Sequence, residues 1–144
     1  MEFYVYFTGP QNPGGFEIIP TNMELAFAVV ACKGARLTLY KSYNGDIAYQ
    51  LVIGGEDNSK VYLTREDDTD WPGDQESDTP NILCCTAATL FRFRWGPNGF
   101  NLLGADGTFY FYWNDPYYLP VYSVKVSTEA DTFGSWSFTR SEGI

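Results

Sequence analysis

Residues 66–78 concentrate the acidic side chains of this sequence. This acidic stretch holds seven of the chain's eighteen carboxylates and no cation. Seven like charges in one segment repel one another and destabilise a fold unless a positive group lies among them. Ca²⁺ takes about six to eight oxygen ligands at loosely defined angles. Because Pro72 and Gly73 break the stretch, we expect a flexible loop that suits this ion.

The spacing of the carboxylates partly matches a calcium-binding loop of the D-x-D-x-x-G type, between Asp68 and Asp74. Pro72 occupies the place of a third side-chain ligand, Thr79 occupies the place of a closing Glu, and no helix flanks the loop, so an EF-hand is excluded. The alternative is a solvated acidic loop, which most charge runs are. A site would use three or four carboxylates of the predicted ligand pool. That pool is Asp67, Asp68, Asp70, Asp74, Glu76 and Asp78.

Trp71 lies inside the acidic stretch and precedes Pro72, a position that predicts an exposed loop tip. An exposed indole beside metal ligands can stack on the apolar face of a sugar ring while carboxylates and calcium hold the hydroxyls. The alternative is that Trp71 folds back and anchors a long loop. Arg65, directly before the stretch, is predicted to donate a hydrogen bond to a ring or hydroxyl oxygen of the sugar.

The overall composition predicts one domain spanning residues 1–144, with a hydrophobic core. Eleven Tyr, eleven Phe and four Trp, together with fourteen Gly and eight Pro, favour an all-β fold with short turns. A net charge of −9 without a basic cluster argues against nucleic acid as a partner, because phosphate contacts need Lys or Arg. No apolar run is long enough for membrane insertion. The absence of His removes the commonest general base.

Alternating apolar residues and regular turn signals predict about twelve short strands, and therefore a single-domain antiparallel β-sandwich or jelly roll. In residues 90–95, Phe91, Phe93 and Trp95 should share one face. Both faces of residues 23–32 are apolar, so we expect a central strand that is covered on both sides. The predicted strands are residues 3–7, 16–19, 23–32, 35–41, 48–53, 60–65, 82–87, 90–95, 100–103, 109–113, 121–126 and 135–139.

Three cysteines leave one without a partner inside the chain if a disulfide forms. Cys84 and Cys85 are adjacent, so in a strand they point to opposite faces. Either one can pair with Cys32, which leaves the other outward for a partner chain. The alternative is three reduced thiols in a cytosolic protein, because free Cys is often simply buried.

The order of several motifs resembles the domain named for farnesoic acid O-methyltransferase, from about Met23 to Phe138. Its best landmarks are the Ile-Gly-Gly turn at residues 53–55 and the Gly-Ser-Trp at residues 134–136. The chain departs from the family by carrying Glu56 and Asp57 in place of an aromatic residue, and by its acidic stretch. The other motifs of the resemblance are residues 25–32, 35–39, 49–53, 58–60, 91–95 and 124–128.

The family name implies methyl transfer, but the sequence has no Gly-rich turn opening a helix on which most S-adenosylmethionine enzymes hold their cofactor. Domains of this kind also resemble calcium-dependent lectins of marine invertebrates. That likeness implies a secreted lectin with calcium as bridging ion. Galactose-type sugars are the expected ligand, because an aromatic face commonly meets their apolar side, and the odd cysteine predicts a disulfide-linked homodimer. The alternatives are an enzyme acting on a small isoprenoid-like acid and a protein–protein interaction module.

The triplet Trp113-Asn114-Asp115 also occurs at the calcium site of C-type lectins. No other part of the chain resembles that family, so we interpret the triplet as a coincidence in a turn and keep it as a secondary candidate for polar contacts. Met1-Glu2-Phe3 lacks the basic region of a signal peptide. This start fits either a cytosolic chain or a mature secreted one with an added Met.

Overall fold

The computed structural model describes residues 3–9, 16–20, 22–41, 45–66, 75–129 and 131–139 of the chain. These ranges contain twelve strands and one short helical turn, which confirms the all-β prediction. The elements are β1 Phe3–Thr8, β2 Phe16–Ile18, β3 Glu24–Ala31, β4 Ala35–Tyr40, β5 Ile47–Gly54, α1 Gly55–Asn58, β6 Lys60–Arg65, β7 Gln75–Asp78, β8 Thr89–Arg94, β9 Phe100–Gly104, β10 Phe109–Trp113, β11 Ser123–Thr128 and β12 Gly134–Thr139.

The strands form two six-stranded antiparallel sheets that pack face to face. The first sheet has the order β1-β12-β3-β8-β9-β10, and the second has the order β2-β11-β4-β5-β6-β7. Their inner faces supply one apolar core, whose largest fully buried side chains include Trp136, Tyr49 and Phe93. The predicted sandwich is therefore confirmed, and its core is the hydrophobic layer that two facing sheets exclude from water.

Period-two alternation places the core residues as the sequence predicts. Phe91, Phe93 and Trp95 are buried, whereas Arg92 and Arg94 between them are exposed. In β3, Leu25, Phe27, Val29 and Ala31 face the core. The expectation that both faces of this central strand are covered was wrong, because its outer residues are only half-buried.

Two strand predictions near the acidic stretch were wrong. Residues 82–87 form an irregular segment, in which Ile82 and Leu83 are buried although they belong to no ladder. Residues 75–78, expected to be loop, form β7 at the edge of the second sheet and pair with β6. Carboxylates have low strand propensity, yet charged residues are common on edge strands, where they discourage pairing with another chain.

A disulfide joins Cys32, directly after β3, to Cys85 in the irregular segment that precedes β8. It decides between the two pairings that the sequence left open. The remaining thiol, Cys84, is free and exposed.

A buried ion pair joins the two sheets at the end of the sandwich next to the acidic stretch. Arg65, the last residue of β6, has its Nη1 atom 3.2 Å from Oδ2 of Asp115, in the segment that follows β10. The hydroxyl of Tyr49 donates to the same carboxylate at 2.5 Å and accepts from the Leu119 amide at 2.9 Å. The Tyr117 amide donates to the other carboxylate oxygen. Burial, followed by the bond to Asp115, raises the pKa of Tyr49 well above its ordinary value.

Replacing Asp115 with Ala is expected to lower the free energy of unfolding by about 3–5 kcal/mol, because the guanidinium of Arg65 would stay buried without its counter-charge. A double variant that also carries Arg65→Met should recover part of this loss. Urea denaturation measures both effects. Asp46→Ala, at an exposed position, is the control and should stay within about 0.5 kcal/mol. A loss below about 1 kcal/mol for Asp115→Ala would contradict the anchoring role.

Candidate functional site

The outer face of the second sheet carries polar and aromatic side chains around the apolar Val52, and we call these side chains the polar face. In β6, Val61, Leu63 and Arg65 are buried, so Lys60, Tyr62 and Thr64 point outward between them. The register with the neighbouring strands extends this set across five strands. The other members of the polar face are Arg36, Thr38, Tyr40, Gln50, Glu76, Asp78 and Lys125.

Strand β7 brings the end of the acidic stretch onto the polar face. Glu76 lies directly opposite Tyr62 in the ladder, and Asp78 lies opposite Lys60. The ammonium of Lys60 is 3.0 Å from Oε1 of Glu76 and 3.5 Å from Oε2 of Glu56. The hydrogen bond to Glu76, helped by both negative charges, raises the pKa of Lys60. Lys60 therefore stays protonated and fixes the orientation of Glu76 beside the Tyr62 ring.

Gly55 positions the Tyr62 ring. A Cβ atom at Gly55 would lie 2.5 Å from Cε1 of Tyr62, closer than any side chain tolerates. The half-buried ring therefore rests against the backbone of the Ile-Gly-Gly turn, with Val52 directly across the ladder. The glycine that marks this family motif has a packing reason, since only a residue without a side chain leaves room for the aromatic ring.

The turn that begins the polar face is backbone-strained. Glu56, Asp57 and Asn58 all have positive φ, between 49° and 64°, a region that residues with a Cβ atom rarely adopt. The side chain of Asn58 compensates with two hydrogen bonds to Leu83. Its Nδ2 donates to the Leu83 carbonyl at 2.9 Å, and its Oδ1 accepts from the Leu83 amide at 3.0 Å. Strain held in place by surrounding bonds is common at functional sites.

Further along the polar face, side chains of neighbouring strands contact one another. Gln50 donates to the hydroxyl of Thr38 at 3.3 Å, and the ammonium of Lys125 lies 5.5 Å from the centre of the Tyr40 ring. A cation over an aromatic face is attracted by the quadrupole of the ring. The polar face therefore combines amide, hydroxyl, carboxylate and aromatic groups on one rigid sheet.

The residues predicted from the sequence fall into three groups. Arg65 is buried, with its side chain 5% exposed, and its guanidinium bonds Asp115 inside the sandwich end. Asp115 likewise lies inside the sandwich end, where its carboxylate accepts from Arg65, Tyr49 and the Tyr117 amide. Glu76 and Asp78 lie on the polar face. Asp67, Asp68, Asp70, Trp71 and Asp74 lie outside the described residues.

The described residues offer no ready metal centre. Among them, no group of three or more acidic, Cys or His side chains is arranged to hold an ion. Glu76 is neutralised by Lys60, which disfavours a second cation at the same carboxylate. Of the predicted calcium ligands, the two that the structure describes therefore do not by themselves form a site.

The sequence analysis missed Lys60, Tyr62 and Gln50 as site residues. The alternation in residues 60–65 was a usable signal, because it places Lys60, Tyr62 and Thr64 on one face. Without β7 as a partner strand, however, alternation alone does not distinguish that face from the solvent side of an edge strand. The pairing of β6 with β7 makes it part of a continuous surface.

The chain belongs to the family described as farnesoic acid O-methyl transferase. The family model matches residues 4–142, which confirms the resemblance seen in the motifs. None of the curated proteins compared with the chain is similar to it in sequence. Among the described residues, no helix is long and apolar enough to cross a membrane.

Solved structures similar to this fold include several galectins. A toad ovary galectin in complex with N-acetylgalactose has a TM-score of 0.56 and 12% identity, and the match covers 85% of this chain and 98% of that one. A tetrameric galectin from the ball sponge Cinachyrella has a TM-score of 0.55 and 19% identity, with 88% and 89% coverage. Sheep galectin-11, in complex with glycerol, has a TM-score of 0.56 and 12% identity, with 82% and 96% coverage. At these identities the likeness shows the fold.

Proposed function

We propose that this protein is a carbohydrate-binding protein that holds galactose-type sugars on the polar face, around Tyr62, Lys60 and Glu76. The observation that carries the proposal is the fold likeness to galectins, one of them solved with N-acetylgalactose and again with thio-digalactose. The side chains of the polar face also support the proposal, because they are of the types that bind sugars. The family description names a methyl transfer, and we expect binding without that reaction.

The chemistry of the polar face suits a sugar. A pyranose has one apolar face of C–H groups and a rim of hydroxyls, so its receptor needs an aromatic surface beside fixed donors and acceptors. Tyr62 supplies the ring, Glu76 an acceptor and Lys60 a donor, all within two neighbouring strands. The Lys60–Glu76 pair and Gly55 hold these groups before any ligand arrives, which lowers the ordering cost of binding.

A glycan array followed by calorimetry with galactose tests the site. Tyr62→Ala should weaken binding by about tenfold or more, because it removes the stacking surface, while Tyr62→Phe keeps the ring and most of the affinity. Glu76→Gln should weaken binding through the lost charged acceptor. Trp71→Ala tests the sequence-based prediction that Trp71 stacks on the sugar. It should also weaken binding, with the melting temperature changed by about a degree or two.

Tyr117→Ala is the matched control, since Tyr117 is an exposed tyrosine outside the polar face. Unchanged galactose affinity in folded Tyr62→Ala and Glu76→Gln would reject the polar face as the site. Loss of binding in Trp71→Ala alone would place the site in the acidic stretch instead.

We further propose that calcium binds the acidic stretch and contributes to sugar binding. The proposal rests on the carboxylate density of residues 66–78. Lys60 neutralises Glu76 and lies opposite Asp78 in the ladder, so its positive charge disfavours a calcium ion at either carboxylate. The proposed calcium ligands are therefore Asp67, Asp68, Asp70 and Asp74.

Removing calcium with EDTA is expected to lower the melting temperature, since an ion that binds only the folded state stabilises it by mass action. The contribution is about 2.7 kcal/mol at a calcium concentration a hundred times the dissociation constant. Scanning calorimetry with EDTA, and again after calcium is restored, measures it. An Asp68→Asn/Asp70→Asn variant should lose the EDTA response. An identical melting temperature in both conditions would overturn the calcium proposal.

We also propose a secreted, disulfide-linked homodimer joined through Cys84. The Cys32–Cys85 bond supports an oxidising compartment. Hydrogen bonding to Thr86 lowers the pKa of the exposed Cys84 thiol, which increases its thiolate fraction and its reactivity. Two tethered weak sugar sites can raise avidity by about 10² to 10⁴ without a new contact.

The dimer predicts a band of twice the monomer mass on a non-reducing gel, and the monomer after thiol treatment. Cys84→Ser should run as a monomer in both lanes and should lose cell agglutination while it keeps the affinity for free galactose. Cys85→Ser is the contrasting variant, because it removes the internal bond and is expected to lower stability by about 2–4 kcal/mol. A wild-type monomer without reductant would contradict the dimer.

A further inference from the structure

A cleft opens between the outermost strands of the two sheets, beside the polar face. It has a volume of about 340 Å³ and lies between the end of β7 and the start of β10. Asp78, Thr79 and Asn81 line one side, and Phe109 and Tyr110 line the other. A cavity of this size accepts one small organic molecule or one ring of a larger one.

The cleft presents an open carboxylate and an open aromatic ring. Asp78 is exposed, and no ion pair with another described residue neutralises it. Phe109 is 67% exposed, on an edge strand where nothing else in the described chain covers it. A carboxylate acceptor that faces an apolar ring is the pair of groups that a sugar residue requires, for its hydroxyl rim and its apolar face respectively.

A hydroxyl in the cleft wall lacks a hydrogen bond. Thr79 is only 9% exposed, and its Oγ1 atom is shielded from solvent without a partner among the described residues. Because Oγ1 is shielded even from a water-sized molecule, a ligand in the cleft does not reach it, and the cleft depends on its exposed groups Asp78 and Phe109.

The walls of the cleft are held in place by the strained turn. The Asn81 amide donates to the Asn58 carbonyl at 2.8 Å, and the Thr79 amide donates to the Ser59 carbonyl at 2.8 Å. On the opposite wall, the Tyr110 ring lies against Gly104, where a Cβ atom would meet it at 2.9 Å. The cleft is therefore a formed cavity rather than a gap between free loops.

The cleft is continuous with the polar face. Glu76 and Asp78 lie two residues apart on the same side of β7, and this spacing advances by about 6.6 Å along a strand. Asp78 lies opposite Lys60 in the β6–β7 ladder, which places it on the polar face, and it also lines the cleft. An oligosaccharide whose first ring lies at Tyr62 can therefore extend along β7, past Glu76 and Asp78, into the cleft.

We propose that this cleft is a second sugar subsite, which takes the next ring of an oligosaccharide whose first ring lies on the polar face. This inference rests on the proposed carbohydrate-binding function and deepens it, since it makes an oligosaccharide the preferred ligand. Phe109 stacks on the second ring, and Asp78 accepts hydrogen bonds from its hydroxyls. Binding in the cleft needs no metal ion.

Calorimetry with galactose and with a linear galactose tetramer tests the subsite. The wild-type chain should bind the tetramer about tenfold more tightly than the monosaccharide. Phe109→Ala should abolish most of this difference and leave the galactose affinity unchanged. Asp78→Asn should also abolish most of the difference, and its galactose affinity is measured separately because Asp78 belongs to the polar face as well. Phe7→Ala is the matched control, because Phe7 is 68% exposed on the opposite edge strand of the same sheet, and it should keep the full difference.

The outcomes separate the subsite from the proposed function. Equal affinity of the wild-type chain for galactose and tetramer, with both bound, overturns the subsite and leaves the function standing. No binding of either sugar overturns both. A tetramer preference that survives in folded Phe109→Ala and Asp78→Asn also overturns the subsite. Circular dichroism of each variant confirms that it is folded before its affinity is interpreted.

Discussion

The buried ion pair between Arg65 and Asp115 is the interaction on which the arrangement of the two sheets depends. A charge removed from water is stable only with a counter-charge and further hydrogen bonds, so each partner requires the other in one geometry. Asp115 obtains these bonds from Arg65, Tyr49 and the Tyr117 amide. Because Arg65 ends β6 and Asp115 follows β10, the pair fastens the second sheet to the first. It also fixes the strand that carries Tyr62 and Lys60.

At the opposite end of β6, side-chain hydrogen bonds stabilise a strained backbone turn. Three consecutive residues with positive φ form the turn into β6, at a cost that Asn58 offsets through its bonds to Leu83. The same turn carries the loop that lines the cleft, and the Cys32–Cys85 bond anchors the segment beyond it. The two ends together leave the middle of β6 and β7 rigid, as a surface that must recognise a ligand without reordering requires.

The proposed function follows from the fold likeness to galectins and from the chemistry of the polar face, and not from the family description. A methyltransferase needs a place for its cofactor, and the sequence offers no Gly-rich turn opening a helix. The polar face and the adjoining cleft instead offer a ring beside a carboxylate twice, at Tyr62 with Glu76 and at Phe109 with Asp78. Each single contact of this type is weak, so the proposed second subsite and the proposed link between two chains through Cys84 would raise the overall affinity for an oligosaccharide or a cell surface.

Local alternation was enough to predict much of the fold, because burial on one face imposes a period of two on any strand. It placed Phe91, Phe93 and Trp95 in the core and predicted the β-sandwich. It could not identify β7, whose carboxylates disfavour strands until β6 pairs with them. The role of Asp115 was also out of reach, since its partners Arg65 and Tyr49 are 50 and 66 residues away in the chain. Contacts over such separations exist only after folding, and they alone decided which polar residues are buried and which remain for a ligand.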